Sequence, residues 1–287
     1  MMNKIGFIGT GVMGASIVKH LLKAGKEVTI YTRTKSKASE LLELGAIWAE
    51  TPAAASIDKD VIFTMVGYPQ DVLEVYTGEQ GILNSAKKGT IVVDMTTSEP
   101  TLAAEIYKLA KEKEIHSIDA PVSGGDIGAK NGTLSIMIGG DREIFDEVLP
   151  ILNIFGANVV YQGSAGAGQH TKMCNQIAIA SNMIGVCESM AYGLKAGLNM
   201  EDVLKSISNG AASSWSLSSL APRMIEGDYE PGFYIKHIMK DIKIAITEAE
   251  RMQLNLPGLI LAKDLYNTLI EQGYAEKGTQ ALIKYYV

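Results

Sequence analysis

The chain has 287 residues, 47% hydrophobic and 20% charged, with a formal net charge of −6. That length, against a usual ~150 residues per domain, predicts about two domains, and the composition excludes a disordered chain. The acidic balance, with no long basic run, excludes a general nucleic-acid or anionic-membrane binder. Met1-Met2-Asn3-Lys4 leads straight into Ile5-Gly6-Phe7-Ile8 without the features of a secretory signal, so a cytoplasmic protein is expected.

Lys4–Ile8 reads as a strand, and Val12–Lys23 as a helix with Ile17, Val18, Leu21 and Leu22 on one face and Gly25 as its stop. Glu27–Tyr31 is the next strand, and Lys35–Leu44 a helix ending at Gly45. Val61–Val66 and Thr90–Asp94 are apolar runs of strand length, followed by helical stretches near 70–76 and 99–113. His116–Asp119, Thr133–Ile138 and Val159–Tyr161 are further strand candidates. Alternating strands and helices predict a parallel sheet covered on both faces. After Gly163 no strand pattern recurs, and 167–195, 200–208, 235–252 and 257–271 all read as helices. The expected organisation is an α/β domain over 1–163 and an all-helical domain over 164–287, joined by a long helix.

The segment Gly9-Thr10-Gly11-Val12-Met13-Gly14 has the Gly-x-Gly-x-x-Gly spacing between a strand and a helix, with a second strand about 20 residues on. Alone the spacing is a weak signal. In this context it is the phosphate cradle of a Rossmann-type, doubly wound dinucleotide-binding sheet. Gly9 permits the tight turn, Gly11 lets a pyrophosphate approach, and Gly14 packs helix on strand. The helix N-terminus supplies N–H groups for the phosphates. The second strand ends in Tyr31-Thr32-Arg33-Thr34-Lys35-Ser36-Lys37, without the acid that binds an NAD ribose. Arg33 can pair with a 2′-phosphate, Thr34 can donate a hydroxyl and Lys37 adds charge, so NADP(H) is favoured over NAD(H), which stays possible.

On a helix, Lys172, Asn175 and Gln176 share one face at the start of an otherwise apolar segment. A helix apolar nearly all round should be buried. Asn175, Gln176, Ser181 and Asn182 interrupt it, which argues against a membrane span. Cys174 and Cys187 on this helix lie roughly 20 Å apart at 1.5 Å per residue, too far for a disulfide, and read as two buried thiols. With His20, His116, His170 and His237 they make no zinc spacing, and no metal is expected. Trp215 reads as core or subunit contact, and His170 as a structural neighbour.

Five motifs in order, GFIGTGVMG, DMTTSEP, DAPVSGG, GAGQHTKMCNQ and KHIMKDIKIA, span nearly the whole chain and together resemble the β-hydroxyacid dehydrogenase family. The N-terminal part is also similar to that of 6-phosphogluconate dehydrogenase. The resemblance implies an NAD(P)-dependent oxidoreductase acting on a small carboxylate substrate, a β-hydroxy acid or its semialdehyde. It implies Lys172 as general acid in reduction and general base in oxidation. Hydride arriving at a carbonyl carbon leaves charge on oxygen, which an ammonium can neutralise and protonate. Desolvation would draw such a lysine down from ~10.4 toward working pH.

The resemblance further implies substrate contacts from Ser123, Gly124, Gly125 and Phe233, and cofactor contacts from Thr97, Lys240 and Asp241, while Met65 and Val66, which follow the Val61 strand, read either as a wall on the adenosine or ribose side of the cofactor or as core. Thr96 stands where the family more often has Ser, and Asp119 can anchor its loop. Where the family has Asn four residues after its lysine, this chain has Gln176, with Asn175 one earlier. Both carboxamides remain candidates, Asn175 being the favoured substrate contact. By the same analogy a homodimer or homotetramer is expected. The competing readings are an NAD-dependent 3-hydroxyisobutyrate dehydrogenase, an imine reductase, which typically lacks the lysine, and a non-catalytic nucleotide-binding protein, which needs no proton donor.

Overall fold

The computed structural model describes residues 2–287. By packing, the chain divides into two units, one ending at Lys172 and the other running Met173–Val287.

The first unit contains, in order, β1 (Lys4–Ile8), α1 (Val12–Lys23), β2 (Glu27–Tyr31), α2 (Ser39–Glu43), β3 (Ile47–Trp48), α3 (Pro52–Ser56), β4 (Val61–Thr64) and α4 (Pro69–Thr77). It continues with β5 (Ile91–Asp94), α5 (Pro100–Glu112), β6 (His116–Asp119), β7 (Val122–Ser123), α6 (Gly125–Asn131), β8 (Leu134–Gly139), α7 (Arg142–Leu152) and β9 (Gly156–Gly163). The sheet order is β3-β2-β1-β4-β5-β6-β8-β7, with β9 also paired to β8. β1 through β6 are parallel in the doubly wound order. The topology switches between β1 and β4, so the crevice at their carboxyl ends is the place where this architecture binds ligands.

Val61–Thr64 and Ile91–Asp94 are buried at every position, which is why they read as unbroken apolar runs. Side-chain alternation splits the core between the two faces. Phe7, Ile17, Ile30, Phe63 and Val93 pack on one side. Ile8, Ile62, Tyr76, Val92 and Ile106 pack on the other. α1 buries Gly14, Ile17, Val18 and Leu21 and stops before Gly25, whose φ of 75° is a left-handed conformation that favours glycine.

Two expectations need correction. The sheet is mixed, because β8 runs antiparallel to both β6 and β7. The expected helix 35–44 is a 3₁₀ turn at Lys35–Ala38 followed by the short α2. The Ser39 hydroxyl donates to the Ser36 carbonyl at 2.8 Å, a local bond that competes with a continuous helix. A further helix, α6, for which no element was expected, covers residues 125–131, its Gly128 and Ala129 buried and the His20 ring on the Ala129 and Lys130 carbonyls.

α8 (Ala167–Lys195) begins in the first unit and continues into the second. The second unit then holds α9 (Met200–Ile207), α10 (Ala221–Ile225), α11 (Ile235–Arg251) and α12 (Pro257–Glu271). Its core includes Met190, Ile238, Met239, Ile242, Leu265, Tyr266 and Leu269. At 1.5 Å per residue α8 is about 43 Å long. By length and composition alone it is long and apolar enough to cross a membrane, and 39% of its most apolar stretch is buried within the chain. The expected all-round burial is therefore incomplete. Cys187 is buried but Cys174 is exposed, so only one thiol fits the expectation. Trp215 is 68% exposed and does not belong to the core.

Candidate active site

In the first unit the glycine cradle joins β1 to α1. Gly9 has φ of 97°, and a Cβ there would stand 2.1 Å from the Met65 carbonyl oxygen at the end of β4. A Cβ on Gly14 would stand 2.1 Å from the Gly9 carbonyl oxygen. Both positions therefore exclude any side chain. Gly11 is different: no atom lies within 4 Å of its would-be Cβ. It is the N-cap of α1 and no side chain caps the helix, so the amides of Val12, Met13 and Gly14 face an open approach. Next to it the Thr10 hydroxyl is buried with no hydrogen-bond partner. A buried unsatisfied hydroxyl costs about 1–3 kcal/mol, which a bound group can recover. Open space, free helix amides and an unspent donor fit the phosphates of a dinucleotide.

Arg33, Thr34 and Lys37 follow β2 and all are exposed. The Arg33 guanidinium lies 3.7 Å from the Asp71 carboxylate. Asp71 also accepts a hydrogen bond from the Tyr68 amide at the start of α4. Arg33 thus meets an acid from α4, a partner that no reading of residues 31–37 could reveal.

At the end of β5 the Asp94 carboxylate accepts from the Thr64 hydroxyl at 2.8 Å and from the Thr96 amide at 3.1 Å. Burial pushes this carboxyl up to about 6, against those hydrogen bonds. Thr96 is itself buried, and its hydroxyl accepts from the Val66 amide at 3.0 Å. Thr96 therefore braces the β4 and β5 ends against one another, while Thr97 is half-buried. Ser98 follows, its hydroxyl buried with no hydrogen-bond partner.

At the end of β6, Asp119 accepts from the Gly166 amide at 2.7 Å and the Gln169 amide at 2.8 Å. It anchors the start of α8, and burial raises its carboxyl above the ordinary aspartate range. The Ser123-Gly124-Gly125 turn links β7 to α6. Gly124 and Gly125 have φ of 125° and 63°, which explains two consecutive glycines. Lys172 is 7% exposed and its ammonium donates to the Val122 carbonyl at 2.8 Å. The structure thus brings Lys172 to the residue adjoining Ser123, although 50 residues separate Lys172 from Val122.

Within the second unit a polar chain links the other candidates. The Asn175 amide donates to Gln176 Oε1 at 2.7 Å. Gln176 Nε2 donates to Asp241 Oδ2, and Lys240 Nζ lies 3.1 Å from Asp241 Oδ1. Both ends of the buried Gln176 carboxamide are therefore committed within the protein. Asn175 is half-buried and spends its nitrogen, leaving its own oxygen outside these bonds. Phe233 stacks on the His237 ring, centroids 6.4 Å apart. Burial, and then the charges of Lys240 and Lys236, lower the His237 imidazole below its ordinary value.

Residues 4–163 match the family model of the NAD binding domain of 6-phosphogluconate dehydrogenase. Residues 166–286 match the model described as NAD-binding of NADP-dependent 3-hydroxyisobutyrate dehydrogenase. The uncharacterized oxidoreductase YkwC of Bacillus subtilis is 58% identical over 100% of both chains. The 2-hydroxy-3-oxopropionate reductase of Escherichia coli is 37% identical over 98% of this chain and 96% of that protein. Among solved structures, Mycobacterium tuberculosis 3-hydroxyisobutyrate dehydrogenase with L-serine superposes with a TM-score of 0.91 at 28% identity, covering 99% of each chain. With two family models covering both units and full-length relatives of this kind, the chain belongs to the β-hydroxyacid dehydrogenase family of NAD(P)-dependent oxidoreductases.

Proposed function

We propose that the protein is an NADP-preferring dehydrogenase or reductase interconverting a small β-hydroxy acid and its semialdehyde, with Lys172 as the proton-exchanging group. The observation that carries this reading is the Lys172 ammonium, buried and held on the Val122 carbonyl beside Ser123. A bound nicotinamide supplies or accepts the hydride. Ser123 and the Gly124 and Gly125 amides take the substrate carboxylate, a hydroxyl and a glycine turn being suited to a small anion. Lys172 protonates the oxygen in reduction and accepts its proton in oxidation. Asn175 orients that oxygen, because Gln176 is spent on Asp241. Phe233 walls the apolar end of the substrate.

The cradle Gly9–Gly14, with Met65, Val66, Thr97, Lys240 and Asp241, holds the dinucleotide, and Arg33, Thr34 and Lys37 face a 2′-phosphate. Residues 1–163 form the nucleotide domain, and 164–287 serve the substrate and assembly. The apolar surface of α8 left uncovered in one chain supports a homodimer or homotetramer. A cytoplasmic location accords with the bacterial relatives.

The test is a matrix of initial rates. Two- to five-carbon hydroxy acids and semialdehydes are each run with NADPH and NADH, for wild type and Lys172→Ala. Near-normal turnover of Lys172→Ala on the best substrate would falsify the proton-transfer assignment. A clear advantage of NADH would overturn the reading of Arg33.

A further inference from the structure

We propose that Gln169 is a positioning residue that fixes Lys172 relative to the loop Thr96–Ser98, an inference that rests on the proton-exchange reading of Lys172. Gln169 is wholly buried. Its Oε1 accepts from the Ser98 amide at 2.9 Å, and its Nε2 donates to the Thr96 carbonyl at 2.7 Å. One carboxamide therefore satisfies both a donor and an acceptor of the loop backbone, 71 and 73 residues away in sequence. From the other side Asp119 takes the amide of the same residue and that of Gly166. The first turn of α8 is thus pinned to the β5 end by Gln169 and to the β6 end by Asp119. Lys172 stands three residues further on, on the same helix face.

Glutamine is chemically specific here. The loop offers an N–H and a C=O side by side, so the matching side chain must carry one acceptor and one donor on a planar group. An apolar residue of equal length would seat the helix but leave both loop groups unpaired. A carboxylate would set an oxygen against the Thr96 carbonyl. A carboxylic acid, with one O–H and one C=O, would again fit. Thr97 lies between the two bonded residues, so the same clamp sets the proposed cofactor-contacting threonine and the proton donor in one frame. A shift of about 1 Å in such a frame costs on the order of 100-fold in rate.

The variants Gln169→Met and Gln169→Glu test this, with Lys172→Ala alongside. The Gln169→Met protein is expected to melt cooperatively, to bind NADPH within about threefold of wild type by fluorescence, and to lose about 10- to 100-fold in kcat with little change in KM. Hydrogen exchange should show the Ser98 amide deprotected without substrate present. In Gln169→Glu, kcat relative to wild type should rise as pH falls from about 8 to about 5, with Ser98 protection returning in parallel, because the protonated side chain restores the clamp. Ionisable groups on the elements facing Gln169 include Asp94, Glu99, His116 and Asp119, and dividing by wild type removes what they contribute in both forms. The proposal is overturned if Gln169→Met keeps kcat within twofold while Lys172→Ala is inactive. It is equally overturned if the Gln169→Glu ratio is flat with pH, a test that stands even if the methionine variant fails to fold. Near-normal turnover of Lys172→Ala would instead remove the underlying reading, and this role with it, whatever the Ser98 exchange shows.

Discussion

Asp94 offers a quantitative test of the site's electrostatics. Its carboxyl titrates at about 6 in the folded protein, against 3.8 for the unperturbed group. Desolvation is the main cause, and the charge of Asp119 adds to it. Between those values the native state binds a proton that the unfolded chain has already released. Asp94 therefore contributes stability that is fully present below about pH 4 and is lost as pH rises through about 6. At about 1.36 kcal/mol per pKa unit, the buried charge costs roughly 3 kcal/mol at pH 8.

Asp94→Asn removes the charge and keeps an oxygen for the Thr64 hydroxyl and the Thr96 amide. The Thr96 hydroxyl can accept from the new amide group. The substitution is expected to stabilise the nucleotide unit by up to about 3 kcal/mol at pH 8, the gain shrinking toward zero near pH 4. Urea or thermal melts of both forms across that range, read on the transition that NADPH shifts, measure it. A gain independent of pH, or a loss at pH 8, would show that the Asp94 charge is compensated inside the fold and that the reasoning is wrong.

The other predictions concern the site and the helix. Lys172→Met should lower turnover by about 10²- to 10⁴-fold while NADPH affinity, read by fluorescence titration, stays within a few fold. Gly11→Ala should leave the melting temperature unchanged and weaken NADPH binding, because no protein atom stands near the new methyl. Gly14→Ala should weaken binding and lower the melting temperature together, since its methyl collides with the Gly9 carbonyl. Arg33→Ser should reduce the kcat/KM preference for NADPH over NADH by at least about tenfold, while Asp71→Asn, which frees Arg33, should tighten NADPH binding. With a thiol reagent, native protein should show one fast-reacting cysteine, Cys174, and a second only after denaturation. Burial holds Cys187 up at about 12, which makes its thiolate scarce.

How far the sequence reveals such features depends on whether their cause is local. The bounds of α1 are legible because a glycine cradle, an apolar period and a terminating glycine all lie within one short stretch. α6 is not, because Gly125 and Gly128 lower its intrinsic helicity and its support comes from His20, more than a hundred residues earlier. The antiparallel run of β8 is equally hidden, since an apolar strand pattern carries no direction. In the site, residue types were legible and partners were not. Asp94 reads as the end of a strand until Thr64 is placed beside it. Asn175 and Gln176 are indistinguishable by spacing and are separated only by the bond from Gln176 to Asp241.

The same distinction explains the polar stripe at the start of α8. Gln169, Lys172 and Gln176 recur at spacings of three and four on one face. Within their own units each meets a different polar partner from a distant part of the chain: the Thr96–Ser98 backbone, the Val122 carbonyl and the Asp241 carboxylate. A buried polar group is tolerated where a partner satisfies it and is costly elsewhere. The stripe is therefore confined to the turns that meet such partners, and the same face continues with Ile179, Met183 and Val186. Two of the three carboxamide and ammonium groups are wholly spent on holding the fold. Lys172 differs in kind, because the group that meets the Val122 carbonyl is an ammonium, the chemistry that the proposed proton exchange requires.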